Sequence, residues 1–165
     1  MPCSLKISTR TERSKRKAKK TKNYSYVPLG TTYYDLQTNA SPGRRIVLHA
    51  DGTISAVWTT AATATGPSYP NRGAGYNYFN GTDWSETNGD RVETNSRSGW
   101  PSIMDLGDGT EAILAHESNT GGFVYSTNDS RGSRTFSSQS ILDDVSVSGE
   151  NRVPIWNRSA ASNGK

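Results

Sequence analysis

Two segments of this chain repeat one pattern, and that repetition constrains the fold more than any other feature. Arg45 to Thr59 reads R-I-V-L-H-A-D-G-T-I-S-A-V-W-T, and Pro101 to Ser118 reads P-S-I-M-D-L-G-D-G-T-E-A-I-L-A-H-E-S. Each is an apolar run, an Asp-Gly-Thr turn and a second apolar run, and Asp-Gly between apolar runs is a strong hairpin signal. The copies lie about 57 residues apart. A self-similar period of roughly 40 to 50 residues, lengthened here by a loop, is the mark of propeller blades, four-stranded units that cannot bury their faces alone.

The rest of each unit follows the same order. In the first, Gly75 to Phe79 predicts a third strand, Asn80-Gly81 a turn and Thr82 to Ser85 a fourth strand. In the second, Gly122 to Thr127 and Phe136-Ser137 occupy those places, and a third copy begins at Arg152-Val153-Pro154-Ile155-Trp156, in line with Gly99 to Ile103. Upstream, Tyr24 to Val27 and Thr31 to Leu36 alternate in polarity around Pro28-Leu29-Gly30 and predict two more strands. The expected fold is all-β: a partial β-propeller over residues 24–165, about two four-stranded blades plus the start of a third. Two blades and a stub leave sheet faces and edges uncovered, so further blades or another chain are expected to cover them.

Composition agrees. Only 32% of residues are hydrophobic and 16 are glycine, which suits short strands and frequent turns. The net charge of +4 divides unevenly, because residues 1–22 hold nine Lys and Arg against Glu12 alone, leaving the remainder at −4. Residues 1–23 therefore read as a disordered basic tail with too little apolar periodicity to offset the entropy of ordering. An acidic body weighs against nucleic acid as the partner of the folded part. The sole cysteine, Cys3, lies in the tail, so no intrachain disulfide forms. No run approaches the ~18 apolar residues of a membrane span, and the start lacks the apolar core of a secretory signal.

Arginines recur where the first strand of each unit begins: Arg44 and Arg45, Arg97, then Arg152. Their convergence on one mouth would make an anion-binding funnel, with Trp100, ahead of a proline at a strand entry, partly exposed beside it. The alternative is that these arginines cap loop carbonyls or lie in solvent. Trp58 and Trp84 are expected to pack between blades, and Tyr76 and Tyr78 to share one packed face. His49 and His116 lack ligand-spaced partners, so no metal and no other cofactor is implied. Asp105, Asp108, Glu111 and Glu117 surround the second turn and are expected to stay solvated.

With these residues laid out, the chain resembles the sialidase-like superfamily of β-propellers. Over about residues 32–157 it is similar to secreted propeller proteins of Bacteroidetes, through Thr32 to Ser41, Asn71 to Trp84 and Arg97 to Ser102. The superfamily's Asp-box is a turn-bracing hairpin between third and fourth strands. Ser126-Thr127-Asn128-Asp129 with Gly132, Thr135 and Phe136 is similar to an expanded copy, while Asn80-Gly81-Thr82-Asp83-Trp84 keeps only the turn and the aromatic residue. Arg152-Val153-Pro154 is similar to the Arg-Ile-Pro that carries a substrate-binding arginine in sialidases.

What the resemblance implies is part of a non-catalytic propeller, outside the cell or at its surface, that binds a glycan or a protein partner. A fragment of a sialidase-type glycoside hydrolase is the alternative, for which a tyrosine nucleophile, its glutamate and further arginines belong to later blades. Binding of nucleic acid or another anionic polymer through the basic tail is a third reading. No catalytic residue is assigned within the chain.

Overall fold

A computed structural model of the chain describes residues 25–38, 43–64, 66, 68–85, 89–119, 121–141, 145–147, 150–152, 154 and 156–162. The basic tail, Val153 and Ile155 lie outside them. Among these residues ten strands form in chain order: β1 (Ile46–Leu48), β2 (Ile54–Thr60), β3 (Gly73–Phe79), β4 (Asp90–Arg91), β5 (Ser98–Asp105), β6 (Glu111–Glu117), β7 (Phe123–Asn128), β8 (Phe136–Ile141), β9 (Val145–Val147) and β10 (Glu150–Arg152). They make two four-stranded antiparallel sheets, β1-β2-β3-β4 and β5-β6-β7-β8, and a separate β9-β10 hairpin. Among the described residues there is no helix, and neither sheet closes on itself.

The repeat is realised in backbone geometry. β2 and β6 are displaced by 57 positions at both ends, Ile54 to Glu111 and Thr60 to Glu117. In the first turn Asp51 Oδ1 accepts from Thr53 N–H (3.0 Å) and from its hydroxyl (2.6 Å); in the second Asp108 Oδ1 accepts from Thr110 in the same way, at 3.0 and 2.5 Å. Gly52 (φ 85°) and Gly109 (φ 89°) take the left-handed conformation that such turns require of their glycine.

The two sheets pack through β5, which contacts β1, β2 and β3. Val47, Val57, Ala74, Tyr76 and Val92 from the first sheet meet Ile103, Ile113 and Ala115 from the second, with Tyr78 and Phe136 against them. Tyr76 and Tyr78 thus share the packed face, as alternation predicts. Glu111 and Glu117 do not stay solvated: they are 0% and 2% exposed. The reason is the same alternation, which sets them on the face of Ile113 and Ala115.

Glu111 is held by partners from both sheets. Tyr76 Oη donates to its Oε2 at 2.7 Å and Asn128 Nδ2 at 3.0 Å, while its own N–H donates to Asn128 Oδ1. His49 Nε2 lies 3.4 Å from Oε1, and His49 Nδ1 is 2.9 Å from Asp105 Oδ2. Arg131 then bridges Asp51 (3.1 Å) and Asp105 (3.3 Å) at the surface.

Four other expectations need correction. Residues 25–38 hold no strand; their polar groups are engaged instead by side chains, with Gln37 Nε2 donating to Tyr34 O and Thr59 O and its Oε1 accepting from Thr59 N–H. The fourth strand of the first sheet is broken, since Trp84 makes only an isolated bridge to Phe79 and pairing resumes at Asp90–Arg91. Trp58 and Trp84 pack on their own sheet. Trp84 lies 5.5 Å from the Phe79 ring, and Trp58 covers Gly75 and Gly89 so closely that a Cβ there would meet it at 2.6 and 2.1 Å. The segment expected to open a third unit ends the β9-β10 hairpin at Arg152, and Pro154 and Trp156 lie outside strands.

Ile103→Ala is expected to destabilise the chain by about 2–5 kcal/mol through the cavity left between the sheets. Ile46→Ala, at a side chain 58% exposed, is expected to stay within about 0.5 kcal/mol. Denaturant midpoints of the two variants check the contrast; equal losses would mean that β5 does not form the joint.

Candidate functional site

At the end of the sheets opposite the Asp-Gly-Thr turns, Arg72 is the centre of a side-chain cluster. It directly precedes β3, is only 4% exposed, and lies against Gly99, where a Cβ would meet its Nε at 3.0 Å. Its Cζ lies 4.3 Å from the Trp100 ring centroid and 4.9 Å from that of Tyr34. Nε donates to Ser98 O (2.9 Å), Nη1 to Tyr34 Oη (3.1 Å) and Nη2 to Ser118 Oγ (2.5 Å). Burial and the charge of Arg97 lower its pKa, though an arginine starts far enough above neutrality to stay charged.

Trp100 is the second member, and it is buried at 6% exposure where partial exposure was expected. A register shift between Gly99 and Ser102 bulges β5 here and turns the ring inward. Trp100 sits at φ 48°, a costly conformation for a non-glycine residue, held by its N–H to Thr59 Oγ1 (2.8 Å) and its indole N–H to Leu36 O (3.1 Å). His116 stacks on it at 5.6 Å, and Trp156 meets it edge-on at 5.3 Å. Tyr69, at φ 46°, packs edge-on against Tyr34 at 5.2 Å.

Of the arginines singled out by sequence, Arg97 belongs to this cluster. It is half-buried, and its Nε and Nη2 donate to the Ser68 carbonyl, with Nε also 3.2 Å from Tyr69 O. Arg45 reaches only the rim, donating from Nη2 to Gln37 O at 2.6 Å, and burial lowers its pKa. Arg44 is exposed, and its backbone makes the contacts, N–H to Ser102 Oγ and C=O from Ile103 N–H. Arg152 ends β10, and its side chain lies outside the described residues. Sequence reasoning missed Arg72, Tyr34 and the stacking of His116 on Trp100; the available signal was Gly99, a glycine at a strand entry that leaves Arg72 its space.

Two guanidiniums, Arg72 and Arg97, face one buried carboxylate, Glu117, so this end carries a positive field. His116 registers it: burial first, and then the charge of Arg72, lower its pKa, with Glu117 opposing. Its Nδ1 is buried without a hydrogen-bond partner. The fully used groups of Arg72 and Trp100 form a floor, and half-exposed Arg97, Tyr69, His116 and Trp156 form the accessible layer. Among the described residues no group of three or more His, Cys, Asp or Glu is placed to hold a metal ion, and no helix is long and apolar enough to cross a membrane. No protein family, curated protein or solved structure matches the chain.

Arg72→Met removes a charge beside His116 and leaves Ser98 O without its donor. The expected result is a loss of about 1–3 kcal/mol in stability and a rise in the His116 pKa, read by NMR titration. In the parent protein the depressed His116 pKa means that the unfolded chain takes up the proton first. His116 therefore subtracts stability as pH falls below about 6.5. Arg72→Met should make that decline shallower; an unmoved His116 titration would remove Arg72 as the source of the field.

Proposed function

We propose that this chain is a section of a sialidase-like β-propeller that binds an acidic glycan without chemically altering it, at the arginine and aromatic cluster around Arg72. The observation that carries the reading is the positive, aromatic-lined end on which Arg97 is held ready. Its guanidinium is tied to the Ser68 and Tyr69 carbonyls, so little side-chain freedom remains to be lost when a carboxylate arrives. Charge-assisted pairing to a carboxylate and the half-exposed rings of Tyr69 and Trp156 suit a sugar acid. A basic tail and an acidic body leave nucleic acid as the weaker candidate for this surface.

The propeller reading draws support from the two consecutive four-stranded meanders with matching turns. It also draws on an asymmetry: β5 is buried along nearly its whole length under the first sheet, whereas the equivalent strand β1 exposes Ile46 (58%) and Leu48 (70%). An apolar stretch of that kind on the first sheet calls for a neighbour, as a blade does. The longer protein to which such a section would belong acts outside the cell or on its surface, where glycans are met.

A hydrolase reading has one observation in its favour, the 2.7 Å contact of Tyr76 Oη with the Glu111 carboxylate. Its placement argues against nucleophilic use. The pair is sealed between the sheets, Gly132 N–H binds the same hydroxyl at 3.1 Å, and burial followed by the Glu111 charge raises the phenol pKa. A tyrosine nucleophile needs access and the opposite shift.

Arg97→Ala should weaken retention on immobilised polygalacturonate about tenfold or more, the loss of one charge-assisted contact, while leaving the thermal midpoint within a few degrees. Retention on neutral dextran should not change. Equal retention of parent and variant on polygalacturonate would reject the site.

A further inference from the structure

A cavity lies away from the Arg72 cluster. It occupies about 400 Å³ between the connection that follows β4 and the outer strands of the second sheet. Val92 and Val124 form its apolar floor with Phe136, whose ring is fixed edge-on to Tyr76 at 5.1 Å. Glu93 lies in its wall, and Asn95 and Ser138, both exposed, stand at the mouth. The volume falls within the roughly 300–1,000 Å³ typical of small-ligand sites, and the lining is mostly polar, with Thr94, Asn95, Ser96 and Ser138 beside Glu93 and only Val92, Val124 and Phe136 apolar.

Glu93 is the unusual member. It is 2% exposed, yet its two carboxylate oxygens meet only backbone N–H groups, that of Ala74 at 2.9 and 3.1 Å and its own. Two carboxylate oxygens offer about four acceptor positions, so capacity remains. Burial raises its pKa to about 7, against the pull of the Ala74 N–H, its own N–H and the nearby Arg91 guanidinium. Near neutrality the group is thus both donor and acceptor, with capacity left over.

From this geometry we infer a binding site for one neutral sugar ring, its C–H face on Phe136 and its hydroxyls on Glu93, Asn95 and Ser138. Alternatives fit less well. An ammonium ligand would approach Arg91, whose charge already acts on Glu93, and an anion would meet the ionised fraction of Glu93 in a poorly hydrated wall. A purely apolar ligand would cover the carboxyl without offering it a hydrogen bond, at a desolvation cost. A sugar hydroxyl supplies that bond and the ring covers the floor. The inference is independent of the acidic-glycan reading, because no residue lining this cavity belongs to the Arg72 cluster.

The test is saturation-transfer NMR on the full chain with methyl glucoside, methyl galactoside, ethanolamine and glucuronate as separate probes. At least one methyl glycoside should receive saturation at its ring C–H protons, whereas ethanolamine should not. Glu93→Gln, which keeps a donor and an acceptor, should retain at least a third of that signal; Glu93→Ala and Asn95→Ala should each cut it fivefold or more. Asn95 is exposed, so its variant keeps the test valid should Glu93→Ala fail to fold. Arg97→Ala should leave the glycoside signal unchanged, separating this site from the first. Binding of ethanolamine instead, glycoside signal untouched by both alanine variants, or no transfer to either glycoside would each overturn the assignment.

Discussion

The joint between the two sheets depends on a carboxylate that water does not reach. Glu111 begins β6 on the inward face, and a charge placed there without partners would cost several kcal/mol. Tyr76 from the first sheet, Asn128 from the next strand of the second, and His49 from the end of β1 supply what water would have supplied. Because those groups come from both sheets, only one relative placement satisfies them. Apolar contact alone, through Val57, Ile103 and Ile113, would tolerate sliding; directional hydrogen bonds do not. The same network reaches the surface through Asp105 and Arg131; Arg131 pairs with Asp51 of the first turn and donates its N–H to Gly109 O of the second (2.6 Å), so the turn at 129–135 is tied to both turns of the repeat.

The opposite end solves burial differently. Arg72 is placed between rings and satisfied by a backbone carbonyl and two hydroxyls rather than by a carboxylate. Its charge is therefore solvated by dipoles and π-faces but not cancelled. Both left-handed non-glycine residues, Tyr69 and Trp100, sit beside it. Strained backbone persists where surrounding contacts over-determine it, and such strain concentrates at places that bind or react. Here the bulge in β5 and the Arg97 clamp on the Tyr69 carbonyl are those contacts.

Much of this was legible in the chain itself, and the failures have identifiable causes. The Asp-Gly-Thr repeat located β1, β2, β5 and β6, because an Asx-braced glycine turn is a local device that needs no tertiary information. Alternation through Ile113 and Ala115 also places Glu111 and Glu117 on the inward face, where register outweighs the preference of a carboxylate for solvent. Tyr33 and Leu36 mimic a strand pattern while remaining 61% and 47% exposed; the Gln37 amide captures the backbone groups a ladder would use. Arg72 was invisible as a centre because its ring partners come from positions 34 and 100, separated by loops whose lengths say nothing of where they return. Trp58 lies over Gly75 and Gly89 rather than between the sheets, a packing event that strand propensity does not encode.

The two ends together explain how one sheet pair can be rigid and still leave charge available. At the Glu111 end each acid meets a base or a donor, Asp105 with His49 and Arg131, Asp90 with Arg134, and the local field is spent inside the molecule. At the Arg72 end the guanidiniums of Arg72 and Arg97 oppose the buried carboxylate of Glu117, and burial first, then that imbalance, depresses the basicity of His116. The acidic glycan proposed for the second end would complete it in the way Glu111 completes the first. The difference is that at one end the counter-charge is covalently part of β6, and at the other it would come with that ligand.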